Sequence, residues 1–287
     1  MAEEKKSVKT VEVRKEVDAI VKGKIEEMRT KNEIVIPDNY NVGNALNVAW
    51  LKIQEVQTSD KKPAVQVCTQ ASIANALLNM VIQGLDSGRN QCYFIAYGDQ
   101  LQMQRSYFGT KTALRRILPE VFKIITDLAH EGDEVEWRWD DFGTRYCHHI
   151  KNDPMQNADK PISFGFCNIY DAGGRLLGST VMTKAEIDQA WRQSRNYKSE
   201  GGVHQKFSSE MMKKTLINRA CKHLINTSTD VATNAAAKAF NESSAAEYEK
   251  PEEQEKKPAV DLKAQFEIQE GIEDEAIDSL FGGEEAE

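Results

Sequence analysis

The sequence predicts an α+β fold: an antiparallel β-sheet with hairpins packed by helices, followed by a flexible acidic C-terminal tail. Three features predict it. Short runs rich in β-branched and aromatic residues are joined by Gly/Asp turns, as in VEWRW, ISFGFCNIY and LLGSTVM. Apolar residues recur at three- and four-residue spacing in the segments around them. Beyond Asn226 the composition turns to Ala, Ser, Glu and Lys, which bury too little apolar surface to pack.

In chain order, Val13, Val17, Ile20, Val21, Ile25 and Met28 fall on one side of a helix over 8–30, and Pro37 ends that segment. This gives a helical unit, 1–36, expected to serve self-assembly rather than the fold. A second helix is expected over 41–56. In 69–86, Ser72, Asn75, Asn79 and Gln83 form one polar stripe on an otherwise apolar helix, the pattern of a mostly buried element. Residues 92–108 read as two strands joined at Gly98-Asp99. A helix is expected from Thr110, kinked near Pro119 and continuing to about Ala129. Strands follow at 135–139, 145–150, 162–170 and 176–182, the last two joined by a hairpin turn at Asp171-Ala-Gly-Gly174. Thr183 caps the next helix with Glu186 as its capping-box partner. A polar loop, RNYKSEGGVHQK, leads to a final helix over 207–225. The core is thus 37–225 and the tail 226–287.

Charge divides the chain in the same place. Residues 242–287 hold 16 Asp/Glu against 4 Lys/Arg, a net of −12; residues 1–241 hold 33 basic and 29 acidic residues, a net of +4. The overall net charge of −8 therefore conceals a mildly basic body. No apolar run approaches the roughly 20 residues of a membrane helix, and the N-terminus lacks a signal-peptide apolar region. Five scattered cysteines without a CxxC pair favour neither a disulfide framework nor a zinc site. A cytoplasmic protein with no metal or cofactor is expected.

Two helices carry candidate binding residues. Wound at 3.6 residues per turn, SSEMMKKTLINRACKHLI separates Met212, Leu216, Ile217, Ala220 and Cys221 from a basic side of Lys214, Thr215, Asn218, Arg219 and Lys222. Lys213 falls in the apolar arc and must snorkel out. That basic side has no acidic residue, unlike an ordinary solvated face that mixes signs. In GTKTALRRIL, Lys111, Arg115 and Arg116 share one side with Thr112; the strand before it adds Gln102, Gln104 and Arg105, with Tyr107 nearby. The loop contributes Arg192, Arg195, Asn196, Tyr197, Lys198 and Lys206. Cations beside amides, hydroxyls and aromatic rings suit a phosphate backbone and base faces.

These motifs also carry a resemblance. LQMQRSYFGTKTALRR resembles the RecT-family segment in which a glutamine-containing strand enters a Tyr-x-Gly turn and a basic helix. EMMKKTLINRACK resembles that family's C-terminal signature, SRNYKSEGGVHQKF sits where the family has a basic, serine-containing loop, and GLDSGRNQCYFIAYG resembles its upstream strand. The resemblance spans about residues 40–225. Phe108 departs from it, standing where many members have lysine; Lys111, one helical turn on, is the candidate to supply that charge. What the resemblance implies is an annealing-protein-like fold and ATP-independent binding and annealing of single-stranded DNA, through an annealed duplex intermediate. It also implies rings or helical filaments, a partner phage exonuclease and a host single-strand-binding protein.

Other readings stay open. GxxxxGK[ST] is absent, which argues against an ATPase. A metal-dependent nuclease would use Asp133, Glu134, Glu136, Asp140 and Asp141 near His148 and His149, but adjacent histidines on a regular strand project to opposite faces. A scaffold protein is the third. Trp137 and Trp139 share a strand face and read as core or interface residues.

Overall fold

The computed structural model describes residues 2–151, 155–193, 202–228 and 235–246. Its first helix, α1 (Ala2–Thr30), is followed by α2 (Val42–Glu55), capped by Asn41, whose Oδ1 accepts from Asn44 N at 2.8 Å. A one-turn α3 (Ala64–Val67) leads to α4 (Gln70–Ile82), capped by Thr69. The helix expected over 69–86 ends four residues early.

Helix α4 is the centre of the helical layer. Ile73, Leu77, Met80 and Val81 are buried, and α1 lies along it with Val17, Val21, Ile25 and Met28 buried. The N-terminal helix is therefore part of the core, not an appendage to it. The apolar stripe lies where helical periodicity places it, but an amphipathic stripe does not say whether its cover comes from the same chain or another.

The first hairpin pairs β1 (Cys92–Tyr97) with β2 (Gln100–Arg105) through the Gly98-Asp99 turn. Ser72 on α4 fixes β2 to the helical layer, its Oγ accepting from Leu101 N at 3.1 Å. Ser106 then caps α5 (Tyr107–Ile117), so the helix begins three residues earlier than the sequence indicated. Gly109 lets that first turn sit tightly: a Cβ there would lie 1.9 Å from the Gln91 carbonyl oxygen.

Past Pro119 the expected continuation of this helix is instead β3 (Lys123–His130). Proline ends the helix, and the run Ile124-Ile125-Thr126 suits a pleated strand better than a helical turn. There follow β4 (Val135–Trp139), β5 (Arg145–Ile150), β6 (Ile162–Tyr170), β7 (Leu176–Thr183), and α6 (Lys184–Arg192), the last with the full Thr183/Glu186 capping box. The described strands form three antiparallel sheets rather than one, ordered β1-β2, β3-β6-β7 and β4-β5.

Alternation along β6 explains the layering. Gly165, Cys167 and Ile169 face α8 (Ser208–Thr227), which follows the short α7 (Val203–Lys206). A Cβ at Gly165 would lie 2.5 Å from Leu216 Cδ1, so glycine sets how closely α8 lies on the sheet. Phe164, Phe166 and Asn168 face the other way, toward the β4-β5 hairpin. There the Trp137 ring stands 5.6 Å from Phe164, and Asn168 Nδ2 donates to Cys147 O at 2.7 Å.

The chain beyond Asn226 was expected to stay unpacked, and for α9 (Ala235–Ala246) this does not hold. Ala237, Ala239 and Phe240 are buried, and the helix contacts α4, α5 and β2. Small alanines let it approach closely and one phenylalanine fills the seat, which a count of apolar residues undervalues. The remaining tail, 247–287, lies outside the described residues. Among the described residues no helix is long and apolar enough to cross a membrane.

Candidate nucleic-acid interface

The two basic helices meet. Thr110 Oγ1 on α5 donates to Asn218 Oδ1 on α8 at 2.8 Å, at the point where their buried faces pack. The burial follows the sequence pattern: Ala113, Leu114 and Ile117 of α5, and Met212, Leu216, Ile217, Ala220 and Cys221 of α8, point inward. Arg115, Arg219 and Lys222 are exposed; Lys111, Lys213 and Lys214 are half-buried.

What these faces lack is a carboxylate within ion-pair distance, although Glu186 is near enough to Arg219 to feel its charge. Several cations on or next to α1, α2 and α6 pair locally: Arg14 with Asp18, Lys24 and Lys31 with Glu27, Lys52 with Glu55 and Lys184 with Asp188. Among the described residues no carboxylate pairs with Lys111, Arg115, Arg116, Arg219 or Lys222. Arg115 donates to the Phe122 carbonyl oxygen at 3.2 Å, and the exposed heads of Arg115, Arg219 and Lys222 remain open to a ligand or to solvent.

Two clefts carry four of these cations, Arg115, Arg116, Arg219 and Lys222. One, of about 280 Å³, is lined by Thr215, Asn218, Arg219 and Lys222 of α8, Met182 of β7, Ala190 and Gln193 near α6, and Ser244 of α9. The other, of about 650 Å³, is lined by Thr112, Arg115 and Arg116 of α5 with Arg89, Gln91, Pro37 and Ala236 among others. Helix α9 thus contributes to both, which no local pattern in its Ala-rich sequence indicates. Arg89 was not a candidate from sequence either; it sits in a single 3₁₀ turn, Ser87–Arg89, 3.5 Å from Asp86.

At the start of α5, Tyr107 and Phe108 form a tilted ring pair with centroids 4.1 Å apart. The Lys111 ammonium lies 5.8 Å from the Tyr107 ring. Phe108 is half exposed, so the residue that departs from the family pattern offers an aromatic face beside a cation.

Three candidates are not free for phosphate in this conformation. Arg105 is buried: its guanidinium donates to Gln83 Oε1 at 2.6 Å and to Phe240 O at 3.0 Å, bonds Ser243 and Ser244, and stacks 3.7 Å from the Phe240 ring centroid. It holds α9 onto α4 and β2. Gln104 is buried, with Nε2 donating to Tyr97 OH at 3.1 Å. Arg116 lies over the Tyr40 ring at 4.7 Å, and burial lowers its pKa. Period-two alternation could not foresee this, because the second cover of β2 comes from a helix 130 residues later in the chain. Gln102 is half-buried, its Oε1 without a hydrogen-bond partner among the described residues.

Arg192 and Lys206 are exposed at the two ends of the loop; Arg195, Asn196, Tyr197 and Lys198 lie outside the described residues. Those ends are held close to α8. Trp191 Nε1 donates to Thr215 Oγ1 at 2.9 Å, and the Trp191 and His204 rings are 4.9 Å apart.

The acidic residues of 133–141 mostly hold local structure. Asp133 accepts from His130 N and Asn157 Nδ2, Asp140 accepts from Phe142 N and Thr144 N, and Glu134 pairs with Lys151. Glu136 is different. A bulge at His148 places both histidines beside it, contrary to the strict alternation expected of a regular strand.

No curated protein matches the chain. The sequence model of the RecT family matches residues 44–261, a range that includes α9 and excludes α1.

Proposed function

The chain belongs to the RecT family, and on that footing we propose that it binds single-stranded DNA and anneals complementary strands without ATP. The observation that carries this reading is the set Lys111, Arg115, Arg219 and Lys222 on the packed pair α5 and α8, none of which forms an ion pair with a carboxylate among the described residues. Cations not held in an ion pair retain much of their field for phosphates, although Glu186 lies near enough to Arg219 to feel its charge, and each cation bound to the backbone releases a counterion. Neutralisation is what annealing needs most, since two polyanions must approach before bases can test pairing.

Contacts to phosphate rather than to base edges leave the bases available and give little sequence preference. Lys111, Arg115, Arg219 and Lys222 are the backbone contacts in this reading, with Arg192, Arg195, Asn196, Lys198, Lys206, Lys213 and Lys214 extending them along the loop and α8. Tyr107, Tyr197 and Phe108 supply ring faces. Neighbouring copies in a ring or filament continue the path from one subunit to the next, and a phage exonuclease and host single-strand-binding protein are its partners in recombination.

The test is gel-shift and annealing of complementary oligonucleotides without nucleotide cofactor, repeated with EDTA and with magnesium. Annealing in the absence of ATP, with both strands intact in magnesium, is expected. Dependence on ATP, or strand cleavage with magnesium, would overturn the reading.

A further inference from the structure

The β4-β5 hairpin carries a second chemistry. In its register Glu136 faces His149 and Trp137 faces Cys147, so His148 is the extra residue of a β-bulge. A bulge turns two consecutive side chains toward one side, which a regular strand cannot do. Here it gathers two imidazoles and a carboxylate whose ligand atoms all lie within 4.8 Å of one another. His149 Nε2 is 3.6 Å from Glu136 Oε2, and the two histidine rings are 5.0 Å apart at 73°.

We propose that Glu136, His148 and His149 bind one divalent transition-metal ion, zinc being the best fit. Zinc takes imidazole nitrogen and carboxylate oxygen at about 2.0–2.2 Å, with three protein ligands and one open position a common arrangement. Tetrahedral ligand atoms then stand roughly 3.4 Å apart. The Glu136–His149 separation of 3.6 Å is already close to this, and metal binding would draw the wider separations in from at most 4.8 Å. Two further observations point the same way. Arg138 Nε donates to Glu136 Oε1 at 2.7 Å, fixing the carboxylate while leaving Oε2 toward His149; metal-ligating carboxylates are held in this way. His148 Nδ1 is buried without a hydrogen-bond partner among the described residues, a group that ordinarily finds one. Two imidazoles disfavour magnesium and calcium, which prefer all-oxygen sites.

The site is distinct from the basic surface, since β4-β5 and α8 lie on opposite faces of β6. A bound ion would bridge both strands of the hairpin and stabilise the folded chain as ligand concentration rises.

The experiment is calorimetric titration of the full-length protein with ZnCl₂, thermal unfolding with and without zinc, and the visible spectrum of the Co²⁺-loaded protein. One zinc per chain is expected, with a raised unfolding temperature and a Co²⁺ spectrum lacking thiolate charge transfer. His149→Ala and Glu136→Gln should each weaken binding by an order of magnitude or more, while His223→Ala leaves it unchanged. His149 is about half exposed, so its replacement does not threaten the fold. No stoichiometric uptake by the wild-type protein, or equal uptake by Glu136→Gln, His149→Ala and wild type, would overturn the proposal.

Discussion

Arg105 shows how one residue's role is decided by what covers it. In sequence it belongs to a strand leading into a basic helix; in the structure it joins α4, β2 and α9 through Gln83, Ser243, Ser244 and Phe240. Hydrogen bonds from a buried charged group contribute about 1.5–3 kcal/mol each, and truncation leaves the partners unsatisfied. Arg105→Ala should therefore lower stability by roughly 2–4 kcal/mol in denaturant titration. Single-strand affinity per folded molecule should change much less than in Arg219→Ala. A large affinity loss at unchanged stability would return Arg105 to the DNA-contacting set. The cysteines make a second residue-scale case. All five are buried, and burial pushes Cys68, Cys147 and Cys167 up to about 11 and Cys92 to about 12. The thiolate is the reactive form. Labelling by a thiol reagent at neutral pH should thus be slow in the native protein and rapid in denaturant; rapid native labelling would contradict this burial.

At the scale of elements, α1 changes meaning most. Val17, Val21, Ile25 and Met28 are each buried, and burying such a side chain is worth about 1.5–3 kcal/mol. Their sum rivals the whole stability of an ordinary domain, about 5–15 kcal/mol. Deleting 2–30 is expected to abolish cooperative unfolding, monitored by circular dichroism against denaturant; an unchanged midpoint would show that α1 is dispensable. The elements legible in the sequence were those with local causes: the Gly98-Asp99 and Asp171–Gly174 turns, the Thr183/Glu186 cap, the two-sided pattern of α8. Those misread depended on distant partners. β3 is a strand because β6 and β7 complete its sheet, and α9 packs because α4, α5 and β2 leave a seat for Phe240. The candidate site divided in the same way. Outward cations of α5 and α8 follow from helical periodicity, whereas Arg89, the α9 wall and the bulge beside Glu136 do not.

For the whole molecule, the described body extends through α9 to Ala246, beyond the boundary at Asn226 that composition suggests. Residues 247–287 carry 15 acids against 4 bases, and Ile277, Leu280 and Phe281 lie together near their end. A chain ending at Ala246 keeps α9 and removes only the tail. If the tail competes with DNA for the basic surface, this truncation should tighten binding at low salt and have little effect at high salt, where screening shortens the tail's reach. Anisotropy titrations at two salt concentrations test it, and equal affinities of both chains at low salt would exclude competition. The central claim is that Lys111, Arg115, Arg219 and Lys222 of α5 and α8 neutralise the DNA backbone. Its most direct test is the salt dependence of binding by the Arg115→Ala/Arg219→Ala/Lys222→Ala protein, measured on several unrelated single strands. Each lost phosphate contact lowers the slope of log K against log salt by about 0.7, so the slope should fall by roughly 2 and affinity should drop alike for every sequence. A folded triple variant with the wild-type slope and affinity would contradict the claim.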